Sequence, residues 1–170
     1  IIDLYGADTA RWFMLSDSPP ERDLEWTEKG VVASYKFINK IWDLFEKSNT
    51  YKADIKQTDK NLLKKFDKII NEISNNIESF HFNKSVAKIY EYVNLLSSLV
   101  SKKSIIEKEL SKIIENLAII IHPFIPHLSE EIWEMMGKKE LCISTKWPKT
   151  EQVFEESVIK MPIQINGKTR

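Results

Sequence analysis

Apolar residues return at three- and four-residue intervals along most of this chain, the spacing that gathers them on one face of a helix. A first long stripe falls at Val31, Tyr35, Ile38, Trp42 and Phe45 and predicts a helix over 28–47. Thr27 suits its N-cap, and Glu28 its first turn. After a polar connection at 49–58, Thr58 or Asp59 is placed to cap a second helix with Leu62, Phe66, Ile69, Ile73, Ile77 and Phe80. His81-Phe82-Asn83 predicts a break, with Asn83 capping a third helix that carries Val86, Ile89, Val93, Leu96 and Val100. Beyond a short turn at 101–104, the fourth runs over 105–121 with Ile106, Leu110, Ile113, Leu117 and Ile120. Four such stripes with short connections predict a mainly α fold, an antiparallel up-down helical bundle. No longer-period repeat argues for a solenoid.

The stretch Leu117–Gly137 organises the rest. The fourth helix meets Pro123, which predicts that His122 leaves helical angles. Pro126 stands where the first turn of a further helix tolerates a missing N–H. Ser129, Glu130 and Glu131 fall near that helix's positive end, and Ile132, Trp133 and Met136 make its inward face. The result is a stiff elbow, flanked by His122 and His127. Their spacing is wrong for a helical metal pair, the only cysteine is Cys142, and His81 lies in another segment. Capping and packing are therefore the expected roles of both histidines, and no metal is expected.

Both ends are shorter elements. Residues Ala7–Leu15 predict a helix with Trp12 and Leu15 on its apolar side, stopped by Ser18-Pro19-Pro20. A polar loop then returns to the body through Trp26. At the other end, 138–156 reads as a linker containing Trp147-Pro148. The alternation of Met161, Ile163 and Ile165 into Asn166-Gly167 predicts a short C-terminal β-strand entering a hairpin. Three parts are thus expected: a connecting segment at 1–26, the bundle at 27–137, and a linker with the start of a further domain at 138–170. The opening on IIDLYGAD without Met, and the hairpin cut short, predict a piece of a longer protein.

Composition narrows the function. Charged residues make up 29% of the chain, with 25 basic against 25 acidic, so a strongly basic arm is excluded. A single cysteine excludes an internal disulfide framework and fits a reducing cytoplasm. No apolar run is long enough for a membrane span, and no signal-peptide pattern appears. Glu-x-x-His, the helical di-iron motif, occurs once, at Glu78–His81 near a helix end, so that chemistry fails on count. No nucleophile elbow, phosphate-cradling glycine loop or Cys–His pair is present. Glu130 and Glu131 point about 100° apart on a helix and read as first-turn stabilisation rather than an acid–base pair. Taken alone, the chain reads as non-catalytic. Lys36, Asn39, Lys40 and Lys47 lie along one edge of the first long helix, a row able to follow a phosphate backbone. Composition alone favours a solvated face for that row. Lys60, Lys64, Lys65 and Lys68 are interleaved with acids and read as plain surface.

Several motifs taken together resemble the class I aminoacyl-tRNA synthetases, and among them the leucyl branch. They are Tyr5-Gly6-Ala7-Asp8 with Thr9, Ala10 and Arg11; Ser18-Pro19-Pro20 with Leu24-Glu25-Trp26; YKFINKIW at 35–42; HPFIPHLSEEIW at 122–133; and IQINGKTR at 163–170. The resemblance spans nearly the whole chain. It implies an anticodon-binding-type helical bundle that holds a leucine-accepting tRNA by its backbone, which raises the weight of Lys36, Asn39, Lys40 and Lys47. Arg11 is then an anchor of its segment, and Trp26, His122, Pro123, Pro126, His127 and Trp133 are motif residues of structure. The family's nucleotide-binding signatures are missing, so no catalytic residue and no cofactor is expected within these residues. ATP with Mg would serve leucine activation in a catalytic domain of the same chain, beside an editing domain. A cytoplasmic monomer with no membrane contact is implied. The alternatives are a helical protein-interaction or structural domain, or the same module of an isoleucyl or valyl enzyme, against which Leu24-Glu25-Trp26 and the terminal strand argue.

Overall fold

Which of the interleaved apolar rows on a helix faces inward depends on what packs against it, and the computed structural model supplies that information. It describes residues 2–16, 22–150, 164–165 and 168–169. Among these residues the fold is mainly helical. The helices are α1 (Ile2–Tyr5), α2 (Ala7–Ser16), α3 (Glu28–Asn49), α4 (Lys60–Glu78), α5 (Phe82–Ser101), α6 (Glu107–Ile121) and α7 (Pro126–Met135). A 3-10 turn follows at Cys142–Ser144, and the two-residue segments β1 (Gln164–Ile165) and β2 (Lys168–Thr169) pair antiparallel. The stop at Ser18-Pro19-Pro20, the linker beyond 150, Met161, Ile163 and the Asn166-Gly167 turn lie outside the described residues.

Caps fix the helix starts largely as local chemistry dictates. The Thr27 hydroxyl accepts from the Gly30 N–H at 3.2 Å, and Asp59 Oδ1 accepts from the Asn61 N–H at 2.8 Å. Thr58 does something else. It is buried, and its Oγ1 accepts from the Ile106 N–H at 3.0 Å, tying the segment before α4 to the start of α6.

The buried face of α3 differs from the expected stripe. Val31, Ser34, Phe37, Ile41, Leu44 and Phe45 are buried, Ile38 and Trp42 are half-buried, and Tyr35 is 40% exposed. Phe37 sets this rotation, because Trp12 of α2 stacks on it at 5.1 Å and Tyr90 of α5 lies at 3.7 Å. Ser34 tolerates burial because its hydroxyl donates to the Gly30 carbonyl at 3.0 Å. On α4, Phe66, Ile69, Ile70 and Ile73 are buried, whereas Phe80 is 67% exposed and lies beyond the helix. On α5, Tyr92 joins the core, and its hydroxyl donates to the Ile113 carbonyl of α6 at 2.9 Å. Burial pushes the Tyr92 phenol well above its ordinary range.

Two further expectations are corrected at helix boundaries. The N-cap of α5 is His81, not Asn83, which sits inside the first turn. The reason is the end of α4, where Phe80 takes φ +58° and turns the chain within three residues. The His81 N–H reaches the Asn76 carbonyl at 2.7 Å, and the Phe80 N–H reaches Ile77 at 3.0 Å, a Schellman end. The same pairing closes α5 at Lys103 (φ +50°) and α7 at Gly137 (φ +77°). The second correction is His122, which keeps helical angles, φ −53° and ψ −43°. Its N–H still reaches the Ile119 carbonyl, and the Phe124 and Ile125 N–H groups both reach Ile121. Those bonds outweigh the local bias imposed by Pro123. The helix ends at Ile121, the turn that follows keeps His122 helical, and the backbone swings out at Ile125 (φ −133°, ψ 72°), where Pro126 takes the first position of α7 as expected.

The core runs from Trp12 through Phe37, Ile41, Ile73, Ile89, Leu96, Leu117 and Ile120 to Phe124 and Trp133. The segment after α7 closes over one side of it. Trp147 Nε1 donates to Ser74 Oγ at 2.8 Å, and the Thr150 hydroxyl donates to Asn71 Oδ1, both on α4.

Candidate nucleic-acid interface

The α3 row stands on the outer shoulder of the bundle. Lys36, Asn39, Lys40 and Lys47 are all exposed. At about 100° per residue, Lys36, Lys40 and Lys47 lie within ~40° of one another, and Asn39 stands ~60° to one side of Lys36. The structure ties two of the four to neighbours. Lys40 Nζ donates to Asn94 Oδ1 of α5 at 2.7 Å, which holds it over the α3–α5 seam. Asn39 Nδ2 donates to the Tyr35 carbonyl of its own helix at 3.0 Å.

The row also has members that the sequence reading missed. Lys29 stands seven residues before Lys36 and is exposed on the same edge; a heptad count would have found it. Asp43, exposed between Lys40 and Lys47, falls on that edge too and lowers the local positive charge.

Arg11, His122, Pro123, Pro126, His127 and Trp133 gather elsewhere, around the elbow. Arg11 Nε donates to the Phe124 carbonyl at 3.2 Å and Nη2 to Pro123 at 3.4 Å, so α2 is bonded to the elbow's backbone. Buried Asp8 meets the start of α7: its Oδ2 accepts from the Leu128 N–H at 2.8 Å. Its Oδ1 lies 2.8 Å from His127 Nδ1 and 3.4 Å from the His127 N–H. Trp133 is buried, donates Nε1–H to the Glu140 carbonyl at 2.9 Å, and carries Lys138 Nζ 5.0 Å above its ring. Trp26 stands apart from the elbow, its ring edge-on to Phe13 at 4.9 Å.

Glu130 departs from the first-turn role expected of it. Its carboxylate accepts from the Cys142 N–H at 2.7 Å and the Ile143 N–H at 3.1 Å, and lies 3.0 Å from His122 Nε2. Burial pushes this carboxyl upward, but the two backbone donors and His122 outweigh it and hold it below its ordinary value. Glu130 thus latches the segment after α7 onto the elbow, while Glu131 faces solvent.

The donor set does not fit a metal. His122 and His127 each engage a different carboxylate, and among the described residues no group of three or more His, Cys, Asp or Glu could hold a metal ion. An ATP phosphate cradle needs glycine backbone open to a ligand. At Gly30 a Cβ would meet the Phe13 ring at 2.4 Å, and Gly137 closes α7, so these glycines serve packing and a helix end. No helix among the described residues is long and apolar enough to cross a membrane.

The architecture is a helical bundle with a lysine-bearing shoulder and an elbow held from both sides. The sequence-family model described as the anticodon-binding domain of tRNA ligase matches residues 59–170, and the chain belongs to that family. The curated relatives it matches include leucine–tRNA ligases. The leucine–tRNA ligase of Ruegeria pomeroyi is 41% identical over 172 residues, and that of Orientia tsutsugamushi 40% over 173, each alignment covering 100% of this chain. The chain spans only 20% of the length of either relative. Among solved structures, the Agrobacterium radiobacter K84 LeuRS–tRNA–LeuAMS ternary complex matches with a TM-score of 0.75 at 24% identity. That alignment covers 88% of this chain and 20% of the other, and it supports the fold.

Proposed function

We propose that this chain is the tRNA-holding bundle of a leucine–tRNA ligase. On this reading the whole enzyme activates leucine with ATP and Mg and transfers it to a leucine-accepting tRNA. Adenylation and editing belong to other domains of the same chain, and the enzyme is a cytoplasmic monomer. Residues 1–26 form the segment after the catalytic domain, 27–137 the up-down antiparallel bundle, and 138–170 the linker and strand that open a C-terminal domain. The observation that carries the reading is the alignment of the full chain with leucine–tRNA ligases.

Lys36, Asn39, Lys40 and Lys47 are the proposed contacts to the RNA backbone, with Lys29 extending the row. Lysine suits this task, because an ammonium on a flexible stem meets a phosphate as a point charge and reads no base. The bundle's share of catalysis is then geometric: fixing the body of a large substrate makes the arrival of its acceptor end effectively intramolecular.

The test is tRNA binding by the full-length enzyme from about 50 to 200 mM salt, the range over which phosphate contacts weaken steeply. The double reversal Lys36→Glu with Lys40→Glu is expected to weaken binding and to flatten the logarithmic salt dependence by roughly one to two. Unchanged affinity and slope would overturn the proposed face.

A further inference from the structure

Lys65 and Lys68, read from the sequence as plain surface, stand in a different light once α4 and α5 are packed. A groove of about 870 Å³ runs between these two helices. Lys65, Lys68 and Glu72 line it from α4, and Lys88, Glu91 and Asn94 from α5. Both carboxylates are engaged by one lysine. Lys88 Nζ lies 2.5 Å from Glu72 Oε2 and 2.9 Å from Glu91 Oε2. Of the acids around this stretch, Glu72 is thus tied to Lys88, and Asp59 accepts from the Asn61 N–H at the start of α4. Among the described residues, neither Lys65 nor Lys68 has an ion-pair or hydrogen-bond partner of its own. Three residues apart on a helix, they share a face about 4.5 Å apart along the axis.

The groove is joined to the α3 row by a single side chain. Asn94 lines it, and its Oδ1 is the acceptor for Lys40 Nζ. That bond orients the amide so that its nitrogen, with two N–H donors, is turned away from Lys40. A donor path therefore crosses the bundle: Lys36 and Lys40 on α3, Asn94 on α5, and Lys65 and Lys68 on α4.

We propose that the α4–α5 groove extends the RNA-backbone contact surface, with Lys65 and Lys68 binding phosphates and Asn94 linking them to the α3 lysines. The occupant is a stretch of sugar-phosphate backbone, chosen for its charge: the α4 rim presents Lys65 and Lys68, the carboxylates of Glu72 and Glu91 are both engaged by Lys88, and Asn94 supplies hydrogen-bond donors. The inference rests on the proposed RNA-binding role of the α3 row.

The experiment compares the full-length enzyme with three variants: Lys65→Glu with Lys68→Glu, Lys65→Arg with Lys68→Arg, and Lys36→Glu with Lys40→Glu. Each is titrated with a transcribed leucine-accepting tRNA across about 50 to 200 mM salt. The α4 reversal is expected to weaken binding by about tenfold at the low-salt end and to reduce the salt slope by roughly one to two. The arginine pair should retain both affinity and slope. If the α3 reversal weakens binding while the α4 reversal matches wild type, the groove is overturned and the α3 reading stands. Weakening by the α4 reversal with an unchanged slope would mean a packing effect and also overturns the groove. If neither reversal changes binding, the RNA-backbone reading falls, and the groove with it.

Discussion

Asp8 caps a helix that begins far along the chain: its Oδ2 accepts the Leu128 N–H at 2.8 Å across a separation of 120 residues. The residue that precedes α7, Ile125, has no side-chain acceptor to offer. Pro126 removes one of the exposed donors, and Asp8 approaches the next two from a helix of its own. A carboxylate there also meets the positive end of the α7 dipole.

Replacing Asp8 by Ala should therefore cost about 1–2 kcal/mol, the usual value of an N-cap. Asp8→Asn, which keeps an acceptor, should cost less. Amide hydrogen exchange at His127 and Leu128 is the direct readout, because the loss is expected at the start of α7 before it appears globally.

Glu130 predicts an acid-sensitive latch. Its carboxyl is held below the value of 4.5 that it has when unfolded, so its contribution is complete above that value. As pH falls through the lowered folded value, that contribution is lost. Glu130→Gln should remove this part of the acid dependence and cost about 1–3 kcal/mol at neutral pH. Urea unfolding of wild type and variant from neutral pH to about pH 3 would show curves that converge on the acid side.

Gly30 predicts a change of the opposite sign from its helix propensity. Alanine would ordinarily gain about 1 kcal/mol inside a helix. Here the new Cβ would lie 2.4 Å from the Phe13 ring and 2.8 Å from the capping hydroxyl of Thr27. Phe13 is buried and cannot easily withdraw. Gly30→Ala is expected to destabilise by about 1–3 kcal/mol, and Phe13→Leu should relieve part of it in a double-mutant cycle.

Phe80 and Lys103 predict gains. Each occupies the left-handed position of a Schellman end that glycine fills without strain, as Gly137 does on α7. Phe80→Gly and Lys103→Gly should each stabilise by about 0.5–1 kcal/mol, with the Phe80 change reduced by loss of its edge contact with Phe82 at 5.7 Å. Thermal melting of the single and paired variants measures both.

The features legible in the sequence were the local ones. Thr27 and Asp59 cap where short-range chemistry puts them, and Pro126 takes the position its missing N–H suits. The rotation of α3 was not legible, because Phe37 and Tyr35 are equally apolar in a one-dimensional pattern. Only the rings of Trp12 and Tyr90 distinguish them. The break after α4 and the turn after α5 were legible, but their left-handed Schellman geometry was not, because its signal is usually a glycine and this chain places Phe and Lys there. In the candidate interface, Lys36 and Lys40 could be read from spacing. The relation of Lys40 to Asn94 joins residues 54 positions apart and has no local signature.

The bonds from Trp147 to Ser74 and from Thr150 to Asn71 have a consequence for polymer length. Were residues 138–150 a free tether, at ~3.5 Å per extended residue they would add about 45 Å of slack after α7. Bonded to α4 through Trp147 and Thr150, they add none.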